Sequence, residues 1–364
     1  MTKKSYKACV AFPNLRREHL AKDVFKFPTS IFGKNIIFFT RNSCIKKRNI
    51  FELGGNGITD KFTLHEAIRV SYQCSKFEYA ILFHTTPISF LTAGLIKLFS
   101  FLRGKKTITI LQSDYSPIYL KRYNEKGFTF KVAVKIFKFF YTPYIFNAIS
   151  TSSDQGVFFM EKIIGLPSRI IFKIYNCPDF DTDFTKNPID KSRLNKIIFS
   201  GRKDDPKKNI PNIIRAFESI APYNKDWSLE IIGPGNTFKS KLNNNQLLQT
   251  PNISSRNEIL YKYMESKIFL LASHEEGASL SFVESLRCGC YPVATDTGNF
   301  SELINSIGHG LIIGTSTTEI ENGLLQAINT VNNSEHIHSV ISENSKFINW
   351  KNQTSSLKEY LCIN

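Results

Sequence analysis

Residues 268–286 read IFLLASHEEGASLSFVESL, and this stretch decides the fold class. Its first five residues are a continuous apolar run that predicts a buried parallel strand, and the stretch then runs into a segment with helical spacing. Glu276 lies in the turn between these elements and Glu284 on the helix. The small residues of the turn let backbone N–H groups face a ligand, and a helix start favours an anion. The stretch therefore predicts a phosphate site with a carboxylate on each side.

Apolar runs of strand length recur along the chain and alternate with helical segments. This alternation predicts parallel strands joined by crossover helices. The predicted strands lie at 6–12, 35–40, 79–84, 107–112, 148–152, 197–200, 229–232, 268–273 and 291–295. A polar, acidic stretch at 176–184 separates two such series, which places the domain boundary there. We therefore predict an α/β fold of two Rossmann-like domains, 1–183 and 184–345, facing each other across a cleft.

Composition indicates a globular chain with a basic first half. A length of 364 residues suits two domains, and 42% apolar with 21% charged residues exclude a disordered protein. Residues 1–190 hold 29 Lys and Arg against 14 Asp and Glu, whereas residues 191–364 hold 18 against 17. This asymmetry predicts an anionic partner for the first half, either nucleic acid or the inner leaflet of a membrane.

The cysteines and the lack of targeting patterns predict a cytoplasmic protein. Seven scattered cysteines are typical of a reducing compartment, and no signal-peptide pattern opens the sequence. The best candidate for a membrane span, 80–102, is interrupted by His84, Pro87 and Lys97. Cys288 and Cys290 lack a second pair at zinc-site spacing, so we expect buried side chains there and no metal site.

The two glutamates belong to a longer pattern. Glu276, seven residues and Glu284 are followed by Gly289, by PVATDTGN at 292–299 and by ELI at 302–304. This order resembles the signature of the retaining GT-B glycosyltransferases of family four. The segments IIFSGR at 197–202 and KNI at 208–210 are similar to that family's strand-Gly-Arg element and its following lysine. The resemblance implies a nucleotide-sugar-binding second domain and, at 346–364, a final helix that returns to the first domain.

The resemblance also implies roles in a donor site. Arg202 and Lys208 would bind the diphosphate without a metal, since one side chain can fork two phosphate oxygens and the other supplies a point charge. Glu284 would accept hydrogen bonds from ribose hydroxyls, and Glu276 would contact the sugar and stabilise positive charge at the anomeric carbon. The other donor-binding residues would be Gly277, Ala278, Ser279, Leu280 and Ser281. Two alternatives stay open: a solvated loop formed by Arg202, Lys203, Lys207 and Lys208, and a first-turn Glu284 that complements the helix dipole.

The resemblance weakens at one loop of the second domain and across the first. Cys290 and Tyr291 stand between the glycine and the Pro-Val, where the family usually has a single residue. Asp114 follows the strand at which many relatives end in histidine; it would either hold a sugar hydroxyl or the acceptor, or cap the next segment. Asp23 lies in a KDV segment like that of some family members, and we count both aspartates as catalytic candidates. His84 ends a strand and is either a ligand contact or a packed side chain.

Two further segments have open interpretations. Residues 128–141 place three lysines on one helical face, which suits either a helix in a membrane interface or a core helix with solvated lysines. The charge of the first half favours the membrane. Asp181 and Asp183 imitate the acidic triplet that binds a divalent ion in other transferases, but the resemblance places an ordinary interdomain turn there.

The leading hypothesis is a metal-independent retaining transferase that moves a sugar from a nucleotide donor to a hydroxyl of a lipid-linked or polysaccharide acceptor. A UDP-sugar is favoured as donor over a GDP-sugar, no cofactor is expected, and the enzyme would work at the inner face of the cell membrane. The alternatives are a nucleotide-sugar epimerase or phosphorylase of the same fold, and a basic nucleic-acid-binding protein. No nucleic-acid recognition motif occurs in the sequence, so we do not expect that partner.

Overall fold

The structure is a computed structural model that describes residues 6–16, 19–20, 22–45, 47, 49–53, 62–84, 86–113, 125, 145–178 and 193–363. The chain divides into two compact units. The first comprises Met1–Asp179 and Asn349–Asn364, and the second comprises Phe180–Ile348. Asp114 and the segments 128–141 and 181–183, which have possible roles on sequence grounds, lie outside the described residues.

The first unit is built on a parallel sheet. Its strands are β1 (Ala8–Ala11), β2 (Asn14–Leu15), β3 (Ile36–Thr40), β4 (Asn42–Ser43), β5 (Ile50–Glu52), β6 (Tyr79–Phe83), β7 (Ile108–Ser113), β8 (Ala148–Thr151) and β9 (Ile171–Lys173). Seven of them form the sheet in the order β5-β3-β1-β6-β7-β8-β9, and β2 pairs with β4. Alternate residues of β1 enter two separate apolar clusters, Cys9 and Ala11 one, Ala8 and Val10 the other. Both faces of the sheet are therefore covered, which explains the continuous apolar runs of its central strands.

Helices pack on this sheet, and three of the four α-helices that the structure describes between β1 and β9 begin at a capping hydroxyl. They are α1 (Asp23–Phe32), α2 (Leu64–Cys74), α3 (Pro87–Leu102) and α4 (Asp154–Phe158), the last continued by a π-helical segment, Phe159–Ile164. A capping box between Thr63 and Glu66 starts α2. The same carboxylate receives Nε of the fully buried Arg41 at 2.5 Å, and this guanidinium lowers the pKa of Glu66 to about 2. This ion pair fastens the end of β3 to the start of α2.

The second unit has the same architecture. Its strands are β10 (Leu194–Ser200), β11 (Ser228–Ile232), β12 (Leu247–Thr250), β13 (Ser266–Leu271), β14 (Tyr291–Thr295) and β15 (Leu311–Ile313). They form a parallel sheet in the order β12-β11-β10-β13-β14-β15. Its helices are α5 (Ile210–Ile220), α6 (Arg256–Glu265), α7 (Leu280–Arg287), α8 (Phe300–Ile307), α9 (Thr317–Asn332) and α10 (Ile337–Asn344). The inner face of α5, with Ile213 and Phe217 at its centre, is inaccessible to solvent.

The end of the chain packs within the first unit. Two short helices follow the second unit, α11 (Trp350–Gln353) and α12 (Ser355–Tyr360). The backbone N–H of Tyr175 donates to Oε1 of Gln353 at 3.0 Å, and Leu357 and Leu361 join one of the apolar clusters on the sheet. The core of the first unit therefore includes residues from both ends of the sequence.

The α/β fold with two Rossmann-like parallel sheets is confirmed. All nine predicted strands are present, and the four large-sheet strands that the sequence pattern missed are β5, β9, β12 and β15. Each of these four lies at an edge of its sheet. No helix in the described part of the chain has the length and hydropathy needed to cross a bilayer.

Candidate functional site

The predicted donor residues lie at the point in the second sheet where the order of strand addition reverses. From β10 the chain proceeds outward to β11 and β12, and then returns to β13 beside β10 before continuing to β14 and β15 on the other side. β10 and β13 pair in parallel, with Ile197 opposite Ile268, so their carboxyl ends lie side by side. In open parallel sheets this switch point is where the connecting loops diverge and leave a crevice for a ligand.

The loops that follow β10 and β13 are bonded to each other. The backbone N–H of His274 donates to the carbonyl of Lys207 at 2.8 Å. Asn209 has a left-handed backbone, with φ of 59°, and its side-chain amide donates to the carbonyls of Ala272 at 3.1 Å and Thr315 at 2.7 Å. The amide side chain of asparagine makes this conformation more accessible than it is for most residues. These contacts bring residues 207–209 against residues 272–276.

Two lysine-glutamate ion pairs connect the two loops. Lys208 Nζ pairs with Glu276 Oε1, and their side chains are only 17% and 12% exposed. Ser273 Oγ donates to the same oxygen of Glu276 at 3.2 Å. Lys207 Nζ lies 2.6 Å from Glu275 Oε2, but this pair is much more exposed. The structure therefore distinguishes two adjacent glutamates: one is held in a partly buried pair and its neighbour in a surface pair.

Arg202 projects from the end of β10 into solvent. Its side chain is 71% exposed, and its guanidinium lies 3.0 Å from Asp205. Lys203, in contrast, is buried, and its ammonium donates to the carbonyl of Thr250 at 3.3 Å. The solvated-loop alternative is therefore wrong for Lys203. It fits Lys207 and also Arg202, whose exposed guanidinium pairs with Asp205 at the ligand edge of the sheet.

Glu284 is held by a residue that the sequence did not indicate. It is the fifth residue of α7, with no acidic residue in the first turn, so the helix-dipole alternative is wrong. Arg256, the first residue of α6, places Nη2 2.5 Å from Oε1 of Glu284, whose side chain is 6% exposed. Burial, and after it the Glu284 carboxylate, raises the pKa of Tyr263 well above its usual value. Arg256 was missed because it belongs to no motif, and sequence spacing does not reveal that α6 lies against α7.

The start of α7 is tied to the end of β10. Ser279 caps the helix by accepting from the N–H of Phe282 at 3.4 Å. Its hydroxyl also lies 2.9 Å from that of Ser281, which donates to the carbonyl of Ser200 at 3.1 Å. Leu280 is the first helical residue. The predicted donor-binding run 277–281 therefore forms the turn and first residues of a capped helix that begins beside Gly201 and Arg202.

Gly277 is packed tightly by a second glycine. Gly298 has a φ of +61°, and a Cβ added to it would lie 2.2 Å from the carbonyl oxygen of Gly277. Thr295 Oγ1 donates to the carbonyl of Ser273 at 2.7 Å. The loop after β14 thus supports the turn that carries Glu276, which gives a physical reason for the glycine in the PVATDTGN segment.

Two first-unit candidates lie within the described residues, Asp23 and His84. Asp23 begins α1, and its Oδ1 accepts from the N–H of Val24 at 2.9 Å. His84 is half-buried, has a left-handed φ of 65°, and its ring centroid lies 5.6 Å from that of Phe12. It also lines a cavity of about 20 Å³, large enough for one water molecule. The first-unit aspartates therefore keep their roles as predictions only.

The cysteines of the second unit are buried packing residues. Cys288 and Cys290 are both inaccessible or nearly so. Burial raises the pKa of the Cys290 thiol to about 11, so it stays protonated at neutral pH. Among the described ranges, no three His, Cys, Asp or Glu side chains come close enough to hold a metal ion.

Comparison with known proteins gives matches for both the sequence and the fold. The model of the family "Glycosyl transferases group 1" matches residues 179–346. The Campylobacter jejuni N-acetylgalactosamine-N,N'-diacetylbacillosaminyl-diphospho-undecaprenol 4-alpha-N-acetylgalactosaminyltransferase is 30% identical over 166 residues, 43% of this chain and 43% of that protein. The Escherichia coli O-antigen biosynthesis glycosyltransferase WbnH is 30% identical over 127 residues, 34% of this chain and 35% of that protein. The chain thus matches less than half the length of these curated relatives.

Solved structures match over almost the whole chain. Anabaena HepE in complex with UDP superposes with a TM-score of 0.67 at 12% identity, covering 98% of this chain and 99% of HepE. The sucrose-phosphate synthase of Thermosynechococcus elongatus gives 0.66 at 10% identity, covering 98% and 97%. At these identities the likeness concerns the fold. The chain has the GT-B fold, and its residues 179–346 are similar to the glycosyl transferases group 1 family.

Proposed function

We propose that this chain is a retaining glycosyltransferase of family four. It moves a sugar from a nucleotide-sugar donor, a UDP-sugar before a GDP-sugar, to a hydroxyl of a lipid-linked or surface-polysaccharide acceptor. The observation that carries the proposal is the Lys208–Glu276 ion pair at the switch point, with Arg202 exposed beside it. A cation for phosphate and a carboxylate for a sugar are thereby held next to each other at the place where this fold binds ligands.

The charges suit a donor laid along the ends of β10 and β13. Arg202 and Lys208 would neutralise the diphosphate, and the N–H groups of 277–280 at the start of α7 would face the sugar and phosphate. Glu276 would contact the sugar, and Glu284, fixed by Arg256, would accept hydrogen bonds from the ribose. The phosphate cations are protein side chains, so we propose that transfer needs no metal and that EDTA leaves turnover unchanged.

The proposed reaction is a same-face displacement. The bond between the anomeric carbon and the leaving phosphate oxygen breaks while the acceptor oxygen bonds to the same face of that carbon. The acceptor proton passes to the leaving phosphate, so no protein nucleophile is required. Positive charge that develops at the anomeric carbon is stabilised by Glu276, and negative charge on the leaving group by Arg202 and Lys208.

The acceptor and location are inferred from charge and from relatives. The Campylobacter relative is named for a diphospho-undecaprenol acceptor, and the E. coli relative for O-antigen biosynthesis. A lipid-linked glycan would be met at a membrane surface, and residues 1–190 carry the excess of Lys and Arg that an anionic leaflet attracts. We therefore propose a cytoplasmic enzyme associated peripherally with the inner face of the membrane, without a nucleic-acid partner.

The proposal is tested by replacing one of two adjacent glutamates. Glu276→Ala should lower turnover at least about tenfold, equivalent to about 1.4 kcal/mol of barrier, because the sugar loses its carboxylate. Glu275→Ala is the matched control, since its ion pair with Lys207 lies at the surface. Turnover is measured as sugar transferred to a polyprenyl diphosphate glycan. Equal rates for Glu276→Ala and the unmodified protein would remove Glu276 from the mechanism.

The donor is identified by thermal stabilisation. A ligand present at a hundred times its dissociation constant stabilises the folded state by about 2.7 kcal/mol, so UDP- and GDP-sugars can be ranked by the shift in melting temperature. Conversion of the donor without any acceptor would instead identify an epimerase. Oligonucleotide binding without any response to nucleotide sugars would identify the basic nucleic-acid-binding alternative.

A further inference from the structure

The outer surfaces of α2 and α3 carry large apolar side chains that the first unit leaves exposed. They are Leu64, Ile68 and Tyr72 on α2, and Leu98, Phe101 and Leu102 on α3. We call these six residues the apolar patch. Their exposed fractions run from 43% to 79%, and they are six of the fifteen large exposed apolar side chains in the described ranges. Such clustering distinguishes an interaction surface from the scattered exposed apolar residues of any protein.

The spacing of these residues explains why they share a surface. The three on α2 are four residues apart and therefore lie on one helix face, and the three on α3 occupy its last two turns. Contacts join the two helices at the same place. The ring of Tyr72 lies 5.9 Å from that of Phe99, and the guanidinium of Arg103, just beyond α3, lies 4.4 Å from the Tyr72 ring.

Exposed basic residues lie next to the apolar patch, in contact with Tyr72 or within a few positions of the patch residues in the sequence. They are Arg69, Lys76, Arg103, Lys105 and Lys106, and we call them the basic rim. Lys76 places its ammonium 5.0 Å from the ring of Tyr72. Across the described residues 62–84 and 86–107, the exposed charged side chains are this rim and the carboxylate of Glu78. The surface is thus strongly cationic around an apolar centre.

We propose that the apolar patch and the basic rim dock the protein on a lipid bilayer that contains anionic headgroups. Apolar side chains enter the boundary between headgroups and acyl chains, while Lys and Arg extend their stems along the apolar surface and place their charges among the phosphates. Tyr72 suits this boundary because it has an apolar ring with a polar end. This inference rests on the proposed function, because a lipid-linked acceptor would bring the enzyme to a membrane surface.

Charge favours a bilayer over the other occupants of such a surface. A symmetric contact with a second copy of the chain would place the basic rim of one copy close to that of the other. Nucleic acid would use the cations, but its binding would not require Phe101 and Leu102, which are 79% and 69% exposed at the helix end. An anionic bilayer satisfies the charge and the apolar side chains together.

The test is co-sedimentation of the full chain with phosphatidylcholine vesicles, prepared with and without phosphatidylglycerol, in the absence of donor and acceptor. We expect binding to the anionic vesicles. The pair Phe101→Ser with Leu102→Ser should weaken it at least about tenfold, and so should Lys105→Glu with Lys106→Glu. High salt should remove the effect of the charge variant. Controls on the second unit are Tyr223→Ser, at a side chain 89% exposed, and Lys225→Glu with Lys239→Glu, both exposed.

Three results would overturn the docking surface. The first is vesicle binding that the apolar-patch and basic-rim variants leave unchanged. The second is a patch variant that converts a dimer to a monomer in analytical ultracentrifugation while vesicle binding persists, since the surface would then join two copies. The third is an unmodified protein that binds oligonucleotides but not vesicles, together with a basic-rim variant that no longer binds oligonucleotides. Because no substrate is present, a failed docking test leaves the Glu276→Ala result intact, and the two proposals can fail separately.

Discussion

Removing the Arg256 guanidinium should destabilise the second unit and weaken nucleotide binding at the same time. Arg256 lies 2.5 Å from Glu284, and the two side chains are 26% and 6% exposed. At that distance and an effective dielectric constant of 20, the Coulomb attraction is about 7 kcal/mol, and the cost of removing the two charges from water cancels most of it. Since Arg256 is partly exposed, we expect Arg256→Met to lower the free energy of unfolding by about 2–3 kcal/mol, below the usual range for a fully buried pair.

A double-mutant cycle separates the pair from its two members. Glu284→Gln alone leaves the guanidinium without its carboxylate, and it too should be destabilising. The double variant should lose little more than the larger single loss, which gives a coupling of roughly 2 kcal/mol between the two residues. Affinity for UDP should follow the same pattern, because Arg256 acts on the nucleotide through the position of Glu284.

The chain offers a specific probe for this unfolding transition. Of its two tryptophans, Trp227 is buried in the second unit and Trp350 packs with the first. In a Trp350→Phe background, urea unfolding followed by fluorescence reports on the second unit alone, and calorimetry with UDP gives the affinity. If the two single losses simply add in the double variant, Arg256 and Glu284 act independently and the positioning role of Arg256 is wrong.

Three other variants test further parts of the second unit. Arg202→Ala should weaken UDP binding, measured by calorimetry, at least about tenfold, or about 1.4 kcal/mol. The melting temperature should hardly change, because exposed ion pairs contribute about 0–1 kcal/mol. Identical UDP affinities would disprove the phosphate role of Arg202. Gly298→Ala should lower turnover at least about tenfold, because the added methyl group displaces the carbonyl of Gly277. The control Gly308→Ala is also at positive φ but has no atom within 4 Å, so it should show only backbone strain, about 1–2 kcal/mol in the free energy of unfolding. Equal turnover in the two variants would show that Gly298 does not support the turn that carries Glu276. Burial, and after it the Arg193 charge, lowers the pKa of His338 from 6.5 to about 4. The unfolded chain therefore takes up this proton first, so about 3 kcal/mol of stability that is present above pH 6.5 is lost as the pH falls to 4. His338→Gln should reduce the dependence of the free energy of unfolding on pH between 6.5 and 4, measured by urea unfolding at a series of pH values. An unchanged pH dependence would contradict this prediction.

The strands that the sequence missed show what apolar patterning can predict. The central strands β1, β3 and β6 are buried at every residue and therefore read as continuous apolar runs. The edge strands have less to bury: β9 has no buried residue, and β5 and β15 contain exposed ones. These edge strands are short, and three of the four include charged or polar residues, so apolar patterning identifies the central strands of each sheet but not the edge strands.

The site shows a similar division between local spacing and distant contacts. The turn, the helix start and the two glutamates lie within one segment of sequence, so their arrangement could be predicted. The partners of those glutamates could not, because Lys208 and Arg256 reach them from other elements. The incorrect first-turn position for Glu284 has the same origin, since the helix start is set by the Ser279 cap and not by the apolar spacing alone.

The ion pairs have a consequence for how a diphosphate would enter. Lys208 is already paired with Glu276 and partly buried, whereas Arg202 is 71% exposed and contacts only the Asp205 carboxylate among the contacts described for its side chain. An incoming diphosphate would therefore meet the charge of Arg202 first, and would reach Lys208 only by competing with Glu276. Removing Arg202 should mainly slow and weaken donor binding. Removing Lys208 should also leave Glu276 partly buried without its cation, so Lys208→Ala should lose stability and turnover together, as a residue that serves both the fold and the chemistry must.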